Sequence, residues 1–242
     1  MVIKGTAEYD GTDLFGWQVQ KGKRTAQGLL IESIKKILGN IDFKLIGASR
    51  TDAGVHAEEQ TFSLHLKDSI PMEVSKLADA MNAVLPEDIY VRSMAVADGD
   101  FHARFSAHSK VYRYRILDGR RSPLRSRYVW ELPYSLDLEI LKACAFLIER
   151  EVDFSFLKMT HEKKFRKVQF YSSSWERKDD ELVFTIEGGY FLYKLVRVLV
   201  GSMVYSVRKY SSEGFFKRFL KGQENRVIVS PAKGLTLVTV RY

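Results

Sequence analysis

The 242-residue sequence predicts an α+β protein made of two tandem βαββαβ units. Two observations carry this. Segments with alternating apolar residues and segments with helical apolar spacing follow one another in the order strand, helix, strand, strand, helix, strand. The order then occurs a second time, with no Ser/Gly-rich linker or low-complexity tract between. A composition of 45% hydrophobic and 12% aromatic residues, with 5 prolines, supplies one large core or two moderate ones.

Residues 2–10 alternate, with Ile3, Ala7 and Tyr9 on one face, and read as a strand. Residues 25–38 read as a helix: Leu30, Ile34, Ile37 and Leu38 form a stripe, Thr25 is the N-cap and Gly39 the stop. Strands are expected at 42–48 and 60–66. A helix over 71–84 opens at Pro71, is striped by Val74, Leu77, Ala78 and Met81, and ends before Pro86. Residues 89–96 complete the first set, whose order is the ferredoxin-like plan. The second set reads as a strand at 108–117, a helix at 136–149, strands at 166–176 and 181–187, helices at 190–207 and near 213–221, and a strand at 235–241. The expected division is 1–104 and 105–242, two mainly antiparallel sheets that meet or merge beside a cleft, where binding sites commonly form.

Several classes are excluded. One cysteine, Cys144, permits no internal disulfide and fits a reducing compartment. The start "MVIKGTAEYDG" lacks signal-peptide character. The long apolar run 190–207 contains Lys194, Arg197 and Gly201, a poor membrane span, so a cytoplasmic protein is expected. "GWQVQKGKR" has five residues between its glycines and Arg24 where a phosphate loop has Ser or Thr. No zinc spacing and no G-x-S-x-G elbow occurs, so neither metal nor nucleotide cofactor is expected.

The balance is basic, 38 Lys+Arg against 30 Asp+Glu. Between Arg104 and Arg127 stand eight cations (Arg104, Lys110, Arg113, Arg115, Arg120, Arg121, Arg125, Arg127) and one acid, Asp118. A second cluster, "HEKKFRK", includes Lys163 and Lys164. A single such run is commonly a solvated face. Two, one threaded with tyrosines, point to nucleic acid.

"SRTDAGVHA", 49–57, joins two apolar alternating runs. Asp52-Ala53-Gly54 suffices for a hairpin loop in which Gly54 supplies a positive φ. The loop is nevertheless longer than a tight hairpin and adds Arg50 and Thr51, which can hold a carboxylate in one orientation as nucleophile or base. Arg197, within "YKLVRVLVG", either snorkels to solvent or pairs with an anion, Asp52 being a candidate that pairing would keep ionised. In "KVYRYRI", 110–116, alternation sets Lys110, Tyr112, Tyr114 and Ile116 on one face and Val111, Arg113 and Arg115 on the other. A strand tyrosine among arginines is either core or a platform for an unstacked base.

"YDGTDLFGWQVQ" (9–20), "RTDAGVHA" (50–57), "FHARFSAHSKVYRYRI" (101–116), "DFS" (153–155), "FLYKLVRVLVG" (191–201) and "SPAKGLTLVTVRY" (230–242) together resemble the tRNA pseudouridine synthase A family along the whole chain. The second and third are the specific ones. The resemblance implies two RRM-like halves around a central sheet, the pseudouridine synthase fold. It implies a cofactor-free, metal-free cytoplasmic homodimer that isomerises uridines 38, 39 and 40 of the tRNA anticodon arm. By matching motif, Asp52 is the catalytic aspartate, Tyr112 the tyrosine stacking on the target uracil, and Arg197 the arginine paired with that aspartate. Arg50, Phe101, His102, Ala103, Arg104 and Phe105 are substrate contacts, and Lys110, Arg113, Arg120, Arg121, Lys163 and Lys164 are contacts to the RNA backbone. The sequence departs from the family pattern at Ser49, usually Gly, at Ser230, usually Ala, and over 204–210, which lacks a glycine-rich continuation. A non-catalytic RRM-type binder and a synthase for other RNA sites remain as rival readings; the first lacks an RNP1-like pattern and has no use for Asp52.

Overall fold

The computed structural model describes residues 1–39, 41–148, 151–157 and 167–242. By their contacts these form two compact units, 1–108 with 236–242, and 109–235.

The first unit runs β1 (Val2–Tyr9), α1 (Ala26–Leu38), β2 (Phe43–Gly47), β3 (His56–Leu66), α2 (Val74–Asn82) and β4 (Ile89–Ala97). Its antiparallel strands lie in the order β4-β1-β3-β2, the arrangement the βαββαβ plan requires. Thr25 caps α1, its side chain accepting from the Gly28 N–H, and Gly39 closes the helix with a φ of 73°. Ile3, Leu30, Ile34, Phe62, Leu64, Leu77 and Met81 are fully buried, so part of each expected stripe packs into the core, while Ile37, Leu38 and Val74 are half-buried. β3 starts four residues earlier than its apolar run suggests, which shortens the connection after β2 to 48–55.

The second unit contains β5 (Ser109–Asp118), β6 (Trp130–Leu132), α3 (Leu138–Phe146), β7 (Glu151–Asp153), β8 (Lys167–Lys178), β9 (Glu181–Gly188), α4 (Leu195–Tyr210) and α5 (Gly214–Leu220). β5, β9 and β8 pair antiparallel in that order, β6 lies parallel to β5, and β7 pairs with β8. The short strands β6 and β7 carry too few residues to show a period and escape a sequence reading. α4 begins at Leu195 instead of 190 because Lys194 adopts the left-handed conformation, φ 59°, which a helix cannot contain. Among the described residues no helix is long and apolar enough to cross a membrane.

The final strand, β10 (Leu235–Arg241), departs from the expected division. It pairs in parallel with β3, Thr236 opposite His56 and Leu237 opposite Ala57, so 236–242 group with the first unit. Thr239 Oγ1 donates to Glu59 Oε2 at 2.7 Å, and the Tyr242 hydroxyl to the Ala103 carbonyl at 2.8 Å.

Cys144 is buried in α3, and burial pushes its thiol up to about 12. At pH 8 roughly one thiol in 10⁴ is then ionised. Native protein is expected to resist a thiol-alkylating reagent and to react fully once unfolded in guanidinium; rapid labelling of the native form would contradict this burial.

Candidate active site

Asp52 opens a tight turn. The Val55 N–H donates to the Asp52 carbonyl at 3.1 Å, and Gly54 has a φ of 78°, the pattern of a type II turn. The hairpin chemistry expected of Asp-x-Gly is present in the Asp52 carbonyl and the positive φ of Gly54. Asp52 is half-buried and Arg50 exposed, while Thr51 is buried.

The segment 9–20 holds this turn. Leu14 accepts the Gly54 N–H at 3.2 Å, and the Trp17 N–H donates to Thr51 O at 3.1 Å. The Gly11 N–H donates to His56 Nδ1 at 3.0 Å, just past the turn. Two glycines make the approach possible. A Cβ on Gly11 would lie 2.0 Å from Val55 O, and one on Gly16, whose φ is 80°, would lie 2.4 Å from Thr51 O. Trp17 is buried against Gly47 and anchors the segment to β2, and α1 fixes its far end through Ala26 N–H to Gly16 O and Gln27 N–H to Trp17 O. The sequence singles out this motif, but only the fold shows that it grips the 51–55 backbone.

A second support comes from β3. Gln60 is fully buried in β3, and its amide takes both backbone groups of Ser49, accepting from N–H at 3.2 Å and donating to the carbonyl at 2.7 Å. Residue 49 is thus held by its main chain. The Tyr9 hydroxyl lies 2.8 Å from Thr51 Oγ1 and accepts from Gln60 Nε2 at 3.4 Å. A register shift in the β1–β3 pairing falls between Ala7 and Tyr9; such bulges re-aim side chains. Neither Gln60 nor Tyr9 is legible as a site residue, although a glutamine at a buried strand position is a signal in itself.

Tyr9→Phe leaves the Thr51 hydroxyl short of a buried partner at about 1–3 kcal/mol. It is expected to lower turnover more than substrate affinity, because the hydroxyl holds the turn. Melting and steady-state kinetics on the same preparation check this. Turnover equal to wild type would show that the hydroxyl does not position the turn.

The stretch 101–106 folds as one compact turn. The Arg104 and Phe105 N–H groups both point to His102 Nδ1, at 3.2 and 3.3 Å, and the Ala103 N–H donates to Ser63 Oγ on β3. Phe101 packs against Tyr242 at 5.1 Å, with Lys4 Nζ 4.2 Å from the Tyr242 ring centre. Phe105 is exposed, its ring 4.3 Å from that of His102. Burial, with His102, Lys44 and the chain's amino group nearby, lowers the pKa of His65, the neighbour of His102 on β3.

In the second unit, the face of β5 carrying Lys110, Tyr112, Tyr114 and Ile116 is buried. Tyr112 meets Phe191 edge-on at 4.9 Å. Tyr114 is core: it is fully buried, its hydroxyl donates to Pro231 O at 2.7 Å, and burial raises its pKa. Arg197, in the first turn of α4, is half-buried, with Nε donating to Ser230 O at 2.9 Å. Ser230 N–H in turn donates to Arg197 O at 3.0 Å. One helical turn on, a Cβ on Gly201 would lie 2.3 Å from Ile228 O, so that glycine lets 228–230 approach the helix and hold the arginine.

The basic run holds less uncompensated charge than it shows in sequence. Arg115 forms a two-pronged pair with Glu181, at 2.6 and 2.9 Å, Arg125 bridges Asp180 and Glu181, and Arg120 pairs with Asp180. The acids come from the β8–β9 turn, some sixty residues on, beyond the reach of a local charge count. Arg121 is exposed and Arg113 half-buried. Lys163 and Lys164 lie outside the described residues.

A family of tRNA pseudouridine synthases matches residues 6–106 and 151–242. The tRNA pseudouridine synthase A of Thermoanaerobacter sp. (strain X514) is 37% identical over 97% of both chains. That of Dictyoglomus thermophilum is 37% identical over 97% of this chain and 96% of its own, and that of Citrifermentans bemidjiense 35% over 99% and 97%.

Proposed function

The chain belongs to the tRNA pseudouridine synthase family, and from that premise we propose that it converts uridines 38, 39 and 40 of the tRNA anticodon arm to pseudouridine, with Asp52 as the reacting carboxylate. The observation that carries the reading is the mounting of Asp52. Its backbone forms a turn braced by 9–20 on one side and by Gln60 through Ser49 on the other. A carboxylate on so fixed a support is preorganised for attack or proton removal.

The chemistry follows from the bond to be exchanged. In the nucleophilic route the carboxylate attacks C1′ as the N1–C1′ bond breaks, and uracil departs as an anion. The base turns, C5 bonds to C1′, and the carboxylate is released. In the alternative route Asp52 takes the C2′ proton, the sugar becomes a glycal, and the proton returns after C5–C1′ bond formation. Either way the C5 hydrogen is lost to water and N1 takes up a proton from solvent, which restores the conjugated uracil ring. A stacked, paired uridine must first leave the helix, at about a few kcal/mol, and stacking on an aromatic side chain returns roughly 1–3 kcal/mol.

On family likeness, Tyr112 supplies that ring, Arg197 the guanidinium that keeps the carboxylate ionised, and Arg50 with 101–105 further substrate contacts. Lys110, Arg113, Arg120, Arg121, Lys163 and Lys164 keep the expected part of backbone contacts, with Arg120 now sharing its charge with Asp180. The same likeness supports a cytoplasmic homodimer that needs no cofactor. The test is incubation with tRNA tritiated at uracil C5. Release of tritium matched by pseudouridine at 38–40 is expected; no release from any tRNA would remove the proposal, and release from other positions would redirect it.

A further inference from the structure

We propose that the exposed ring of Phe15, together with Lys21 and Lys23, is a stacking contact that takes a nucleotide of the RNA beside the Asp52 turn; this rests on the tRNA-modifying reading above. Phe15 stands between two residues that hold the turn. Leu14, buried, accepts the Gly54 N–H, and Gly16 lies against the Thr51 and Asp52 backbone. Its own main chain is fixed on both sides, N–H to Arg24 O at 2.8 Å and carbonyl to Gln20 Nε2 at 2.9 Å. Leu14 and Trp17 put their side chains into the core, yet the ring of Phe15 is 47% exposed.

The loop's main chain is held without help from the exposed phenyl group. It presents an aromatic surface whose orientation costs little to maintain. Lys23 Nζ lies 4.4 Å from the ring centre, and residues 18–23 are all exposed and contain Lys21 and Lys23 with no acid among them. The next cation, Arg24, is paired with Asp88 at 2.6 Å. A ring with an ammonium group over it and a second lysine in the same exposed segment is a combination that binds single-stranded nucleotides, the ring taking a base and the cations the phosphates. Extruding a uridine leaves a neighbouring base with an uncovered face, and a ring tied to the same backbone as Asp52 is placed to cover one.

The test uses full-length protein with an anticodon stem-loop RNA, read by fluorescence anisotropy, and tritium release from the matching tRNA. Phe15→Ala is expected to weaken binding and raise KM by about 5- to 100-fold, with the loss carried by KM and the melting curve unmoved. Phe15→Tyr restores affinity, whereas Phe15→Leu, apolar without a π face, behaves like Ala. Lys23→Gln lowers the slope of log affinity against log salt by about one unit. Unchanged KM in Phe15→Ala, or wild-type binding by Phe15→Leu, overturns the proposal while leaving the isomerase reading intact. Failure of the wild-type protein to release tritium overturns that reading instead.

Discussion

Asp52→Asn is expected to eliminate tritium release from C5-labelled tRNA while the protein still folds and still binds RNA. Asparagine keeps the shape of the side chain and removes its charge, so both routes to pseudouridine lose their reactive group. Removing general-base help alone costs roughly 10²- to 10⁴-fold, and loss of a nucleophile closes the covalent route altogether. The fold has little stake in the change. Two backbone contacts hold the turn, Val55 N–H to Asp52 O and Trp17 N–H to Thr51 O, and asparagine preserves both. Melting temperature and anisotropy with an anticodon stem-loop should therefore match wild type. Tritium release at the wild-type rate would show that the carboxylate is no more than a turn residue.

Gly16→Ala should damage the first unit severely. Two costs add. At a φ of 80° any side chain is strained, by about 1–3 kcal/mol. The new Cβ would also stand 2.4 Å from Thr51 O, 3.0 Å from the Asp52 carbonyl carbon and 3.1 Å from Ala53 N. All three are main-chain atoms, so no rotamer change relieves them and the turn must move. Gly22→Ala is the control: its φ is 68°, but nothing lies within 4 Å of the added carbon. Urea melts should show both variants losing stability, Gly16→Ala by more, and only Gly16→Ala should lose turnover by orders of magnitude. Equal turnover in the two would mean that contact with segment 9–20 does not fix Asp52.

What could be read in the sequence follows the range of the interactions concerned. Helix α1 was legible to within a residue because its cap, stripe and stop are local, and the β-α-β-β-α-β order because periodicity is local too. Asp52 and Arg197 drew notice through chemical incongruity, a carboxylate beside a cation in a turn and a guanidinium among valines. The supports escaped notice because each is defined by a distant partner. Gln60 is meaningful only beside Ser49, Gly201 only beside Ile228, and the arginines 115, 120 and 125 only beside Asp180 and Glu181. The lodging of β10 on β3 rests on a pairing between residues about 180 positions apart, which no alternation of side chains announces.

That last pairing has a consequence for biosynthesis. Because 236–242 complete the sheet begun by Val2, the first half to leave the ribosome is the last able to finish folding. The intervening residues must be made, and room found for them, before Tyr242 can reach Ala103. Such long-range closure is slow, and until it happens the flank of β3 at His56 and Ala57 stands open, one residue past the turn that carries Asp52. A nascent chain thus carries the Asp52 turn early but acquires the strand beside it only after some 180 further residues have been made.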